Sequence, residues 1–84
     1  MNNVIRPSVR AVSSTFRSAL MSLGFESNGY ARMYAPAGMS SNIANRVMRR
    51  VGKAFIVTNN GVNSWSDPNP ADLEFAVAKA KQLF

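Results

Sequence analysis

The sequence contains no cysteine and no histidine, and its only acidic residues are Glu26, Asp67, Asp72 and Glu74. Without cysteine there is neither a disulfide nor a thiolate-held metal, which suits a reducing cytosol. Without histidine the commonest catalytic base and a common transition-metal ligand are also missing. Asp72 and Glu74 stand two apart on a predicted helix, so they project to different faces and form no working acid–base pair. These absences argue against an enzyme and for a chain with no metal and no cofactor.

Long apolar runs are missing too. The longest strongly apolar one, Ala54-Phe55-Ile56-Val57, is far short of the roughly 20 residues that a membrane-spanning helix needs. The opening Met1-Asn2-Asn3-Val4-Ile5-Arg6-Pro7 lacks the apolar stretch of a secretory signal, so a cytoplasmic location is expected. Neither an internal repeat nor a phosphate-binding glycine loop is present, and the five glycines are scattered singly.

What remains is a chain of 84 residues, 46% hydrophobic and 17% charged, a mix that folds rather than staying disordered. That length holds one domain, 1–84, burying roughly 60 to 65% of the surface its unfolded form exposes.

Val9, Val12, Phe16, Leu20 and Leu23 recur at spacings of three and four, the stripe of an amphipathic helix. With Ser8 as N-cap and Gly24 as stop, the first helix is expected over residues 8–23. Ser13, Ser14, Ser18 and Ser22, with Arg10 and Arg17, form its wet face. Tyr30-Ala31-Arg32-Met33-Tyr34-Ala35 alternates as a strand does and ends at Pro36.

Ser40, Ser41 or Asn42 can cap a second helix. Ile43, Val47 and Val51 form its inner side, with Ala44 and Met48 beside them, and Gly52 ends it. Residues 53–58 are rich in β-formers, and Asn60-Gly61 is a strong type I′ hairpin signal. The return strand is expected over 62–66, with Ile56 opposite Trp65. Asn69 as N-cap, Pro70 at N1 and Asp72 at N3 start a third helix, whose apolar face is Leu73, Ala76, Val77, Ala80 and Phe84.

The expected order is therefore α-β-α-β-β-α. It implies an α+β fold with a three-stranded, mostly antiparallel sheet packed by helices, and Val4-Ile5 as a candidate edge strand. A winged-helix-like arrangement with Asn60-Gly61 at the wing tip is the alternative. It needs one more helix before the hairpin, for which the 36–41 loop is short.

Charge is polarised along the chain. Residues 1–53 hold eight Lys or Arg against Glu26, and residues 54–84 hold two Lys against three acids, so the net +6 is the sum of +7 and −1. Such a field attracts polyanions. On the second helix Arg46, Arg49, Arg50 and Lys53 fall within about a 100° arc, turned away from Ile43, Val47 and Val51. A helix laid on phosphates needs this arrangement, and arginine adds bidentate contacts. Equally, any amphipathic helix needs a solvated side, and cations near its C-terminus suit the helix dipole.

Tyr30, Arg32 and Tyr34 share one side of their strand. Facing outward they would form a platform for unstacked bases; facing inward the tyrosines are core, and the inward arrangement is favoured. Phe75 sits opposite Leu73 and Ala80 on the third helix. It is a candidate protein interface, including one between two copies of the chain, unless a loop covers it. Trp65 is expected to be a core anchor. Helix 8–23 as a membrane-surface helix is disfavoured, because its polar face is serine-rich and its apolar residues are needed inside.

The expected partner is thus nucleic acid, bound mainly through phosphates by Arg46, Arg49, Arg50 and Lys53, with help from Arg10, Arg17 and Arg32 and with Tyr30 and Tyr34 as accessory contacts. The alternative is a protein-binding module or inhibitor that docks the same basic face on an acidic protein surface.

Overall fold

The computed structural model describes residues 6–11, 13–29 and 31–84. Its elements are β1 (Ser8–Arg10), α1 (Ser14–Ser22), β2 (Glu26–Ser27), β3 (Arg32–Tyr34), α2 (Ser41–Gly52), a 3₁₀ turn (Lys53–Phe55), β4 (Ile56–Asn59), β5 (Val62–Trp65) and α3 (Pro70–Lys81). The fold is α+β, and the α-β-α-β-β-α order expected from the sequence is present within it. None of the helices among the described residues is long and apolar enough to cross a membrane.

The strands form two antiparallel sheets. One is three-stranded in the order β1-β3-β2, and the other is the two-stranded hairpin β4-β5. The three-stranded sheet therefore draws its outer members from residues 8–10 and 26–27, and the hairpin stands apart from it.

Residues 8–10, expected to open the first helix, instead form β1, with Val9 opposite Met33 and Arg10 opposite Arg32. Two further backbone bonds extend the pairing: Ala11 N–H donates to the Ala31 carbonyl at 2.7 Å and Ala35 N–H to the Pro7 carbonyl at 2.8 Å. The helix starts later because Ser13, not Ser8, is the N-cap, its hydroxyl accepting from Phe16 N–H at 3.3 Å. Val9 is buried as the stripe implied, but from a strand. Val12, Tyr30 and the proposed Val4-Ile5 edge strand lie outside the described residues.

The end of α1 follows from Gly24. Its φ of +95° lets Phe25 N–H reach the Leu20 carbonyl at 3.1 Å and Gly24 N–H the Met21 carbonyl at 3.0 Å, the paired bonds of a Schellman cap. A side chain at Gly24 would carry the left-handed backbone penalty and place its Cβ 3.2 Å from Pro36 Cγ.

Ser40 caps α2 by accepting from Ile43 N–H at 3.2 Å. The helix runs through Gly52 and tightens into the 3₁₀ turn, so the residues from Lys53 to Phe55 are not strand and β4 begins at Ile56. The hairpin register is the expected one, Ile56 opposite Trp65, and Asn60 (φ 52°) and Gly61 (φ 81°) make the positive-φ turn. For α3, Asn69 Oδ1 accepts from Asp72 N–H at 2.9 Å, and Asn69 Nδ2 donates to Asp72 Oδ2 at 2.9 Å. Phe84 lies past the end of α3 and is exposed, with Leu83 partly packed on the core in its place. The extra helix of a winged-helix arrangement is not among the described residues.

One core unites these elements. Phe16, Ala19, Leu20 and Leu23 of the α1 region pack with Val9 and Met33 of the sheet, with Phe25 and Ala35 flanking its strands, with Ala44, Val47 and Val51 of α2, and with Phe55 and Ala80. The hairpin contributes little to it, since all eight residues of β4 and β5 are exposed.

Candidate nucleic-acid interface

The inner side of α2 is set by Ala44, Val47 and Val51, all buried, while Ile43 is only partly covered. Arg46, Arg49 and Lys53 are exposed on the other side and Arg50 is half-buried. The 3₁₀ turn then carries the chain directly from the basic face into β4. An open groove of about 750 Å³ results, bounded by α2 on one side and the base of the hairpin on the other.

Five cationic residues line this groove: Arg46, Arg49, Arg50, Lys53 and Arg10. Arg10 arrives from β1, not from a helix. It stands opposite Arg32 in the β1–β3 register, but of the two only Arg10 lines the groove. None of the five has a hydrogen-bond or ion-pair partner among the described residues.

The acids are elsewhere. Glu26 is paired with Arg6 (Nη1 to Oε1, 2.8 Å), Asp67 accepts from Thr15 Oγ1 at 3.0 Å, and Asp72 is engaged in the α3 cap. Glu74 lines a separate depression between α1 and α3. The groove therefore carries charge of one sign, and a polyanion entering it meets no carboxylate. No group of three or more acidic, histidine or cysteine side chains gathers among the described residues.

The floor is aromatic. Phe16, Ile56 and Trp65 line it together with Met48, Gly52 and Leu83. Trp65 stacks on Phe55 with ring centroids 5.0 Å apart and planes 13° from parallel, and its ring lies 5.6 Å from that of Phe16. Phe55 is fully buried, whereas Trp65 is 51% exposed. Trp65 is thus a half-open anchor and not the enclosed one its residue type suggested. The sequence did hold a pointer to this: the register places Trp65 opposite Ile56, three residues after the last cation of the basic face.

The remaining sequence candidates among the described residues fall outside the groove. The Arg17 side chain is half-buried and donates through Nη2 to Ser27 Oγ, fastening α1 to β2, while its buried Nε has no hydrogen-bond partner among the described residues. Arg32 donates from Nη1 to Ser8 Oγ at 3.1 Å on the outer face of the sheet. Tyr34 shares that face and is exposed, while Met33 and Ala35 point into the core. This reverses the favoured inward orientation of the strand's tyrosine side, for Tyr34 at least; Tyr30 lies outside the described residues. Phe75 is 59% exposed on α3, with Lys79 Nζ 5.5 Å from its ring centre.

Neither a scan against models of protein families nor searches of curated proteins and of solved structures returns a match for this chain.

Proposed function

We propose that this chain is a non-enzymatic binding protein that holds nucleic acid in the groove between α2 and the hairpin base. The observation that carries the reading is the charge distribution there: five cationic side chains, none with a hydrogen-bond or ion-pair partner among the described residues, line the groove, and no carboxylate side chain lies among them. A phosphate backbone is the partner that rewards this most, because each neutralised phosphate releases condensed counterions. Arg46, Arg49 and Arg50 supply forked donors for phosphate oxygens, and Lys53 and Arg10 widen the positive field.

The alternative partner, an acidic protein surface, would use the same cations. The two are separated by titrating labelled DNA and RNA at two salt concentrations. If all five cations engage phosphates, log K is expected to fall against log salt with a slope of about −3.5 on a single strand or −4.5 on a duplex. A fourfold rise in salt then weakens binding roughly 100- to 500-fold. Absence of binding to either nucleic acid at about 50 mM salt would transfer the groove to the acidic-protein reading.

A further inference from the structure

Resting on the nucleic-acid reading, we infer that the groove takes a single strand, with one unpaired base stacked on the open face of Trp65 while the flanking phosphates lie on the cations of α2. The indole is neither free nor enclosed. Phe55 covers one face at a near-parallel 13°, Phe16 leans on it at 48°, and about half of the residue is still exposed. Phe16 and Phe55 are themselves only 5.2 Å apart, so neither ring covers the face of Trp65 turned away from Phe55.

Phe55 is fully buried, so the ring is held before any ligand arrives, and little side-chain freedom is lost on stacking. A buried aromatic serving only as a core residue would be covered on both faces. A flat, fixed, half-open ring on the floor of a cationic groove offers what single-strand binders use: a stacking surface beside a path for the backbone.

A duplex does not exploit this ring, because its bases are stacked on one another and present only their edges. Nor does the hairpin extend the phosphate track. Residues 54–66 contain no lysine or arginine, and the Thr58 hydroxyl is already spent on Asn63 Oδ1 at 3.0 Å within the hairpin. A single strand can splay one base onto Trp65 while its backbone stays on Arg46, Arg49 and Arg50. An acidic peptide would satisfy the cations, but its carboxylates bring no flat partner for the ring.

Trp65 is the only tryptophan, so its emission reports the ring directly in the unmodified chain. The emission is followed while adding an oligothymidylate of about ten nucleotides, the duplex of the same length, or inorganic polyphosphate. Quenching by the single strand, with tighter binding than the duplex and no quenching by polyphosphate, is expected. The variant Trp65→Ala is expected to lose roughly 5- to 150-fold in single-strand affinity, the range for one base–aromatic stack, at an unchanged salt slope. Trp65→Phe should keep most of that affinity.

Should Trp65→Ala fail to fold, the emission of the wild-type chain decides alone. Equal binding of single strand and duplex with Trp65 emission unmoved would overturn the stacking inference and leave the nucleic-acid reading standing. Quenching by polyphosphate equal to that by the oligonucleotide would overturn it as well. Binding of neither nucleic acid would remove the reading beneath it.

Discussion

Replacing Arg46, Arg49 and Arg50 together by glutamine is expected to weaken nucleic-acid binding roughly 100- to 500-fold at about 0.1 M salt, through the loss of three counterion-releasing contacts. The salt slope should flatten by about two to three. Glutamine keeps much of the aliphatic stem and a helix propensity close to that of arginine, so α2 itself is not weakened. Arg46 and Arg49 are exposed, and the half-buried Arg50 has no internal partner among the described residues. The unfolding midpoint should therefore stay within a few degrees, the shift that less than about 1 kcal/mol produces in a domain of this size. Fluorescence anisotropy with a labelled oligonucleotide, beside a thermal melt, reads both quantities. Unchanged affinity would remove the groove as the contact surface, and loss of the fold would show the arginine stems to be part of the packing.

The largest effect on stability is expected at Phe55, the uncharged buried ring beneath the groove. Its ring is fully buried, lies 5.2 Å from that of Phe16, and supports the face of Trp65. Phe55→Ala removes this shared packing at the junction of the 3₁₀ turn and the hairpin, where Ser66 N–H also donates to the Phe55 carbonyl at 2.9 Å. Truncations of this kind cost about 3–5 kcal/mol. The whole folded state of such a chain is worth about 4–13 kcal/mol. The melting midpoint should thus fall by about 12–40 °C, and the chain is expected to be partly unfolded at 37 °C if its stability lies at the low end. Circular dichroism measures this, and a drop of less than about 5 °C would mean that the site collapses around the gap far better than a three-ring cluster should.

The parts of the fold legible in the sequence are those governed by short-range chemistry. Asn69-Pro70 with Asp72 dictates where α3 starts, because the cap is made within four residues. Asn60-Gly61 dictates the hairpin and, through it, the Ile56–Trp65 register. The parts that were not legible depend on distant partners. Val9, Phe16, Leu20 and Leu23 satisfy a helical stripe, yet Val9 reaches the core equally well from a strand, and only pairing with Met33 selects the strand. Ser8 and Ser13 are both good N-caps, and nothing local chooses between them.

The same division runs through the candidate site. The cations of α2 were visible as an arc on a helical wheel, since the helix carries its own geometry. Arg10, expected from the sequence on the first helix, lines the same groove from β1 instead. The half-open state of Trp65 is not legible, because residue type alone does not say which face of a hairpin is covered. The strand carrying Arg32 and Tyr34 had two sides by pattern, and only the burial of Met33 and Ala35 assigns them.

The most direct measurement is amide and indole chemical-shift mapping of the isotope-labelled chain during titration with a short single-stranded oligonucleotide. The proposed interface requires the largest shifts at Arg46, Arg49, Arg50, Lys53 and the Trp65 indole N–H, with Phe75 and the rest of exposed α3 unmoved. Shifts centred on α3, or on the outer sheet face at Arg32 and Tyr34 with the groove silent, would contradict it.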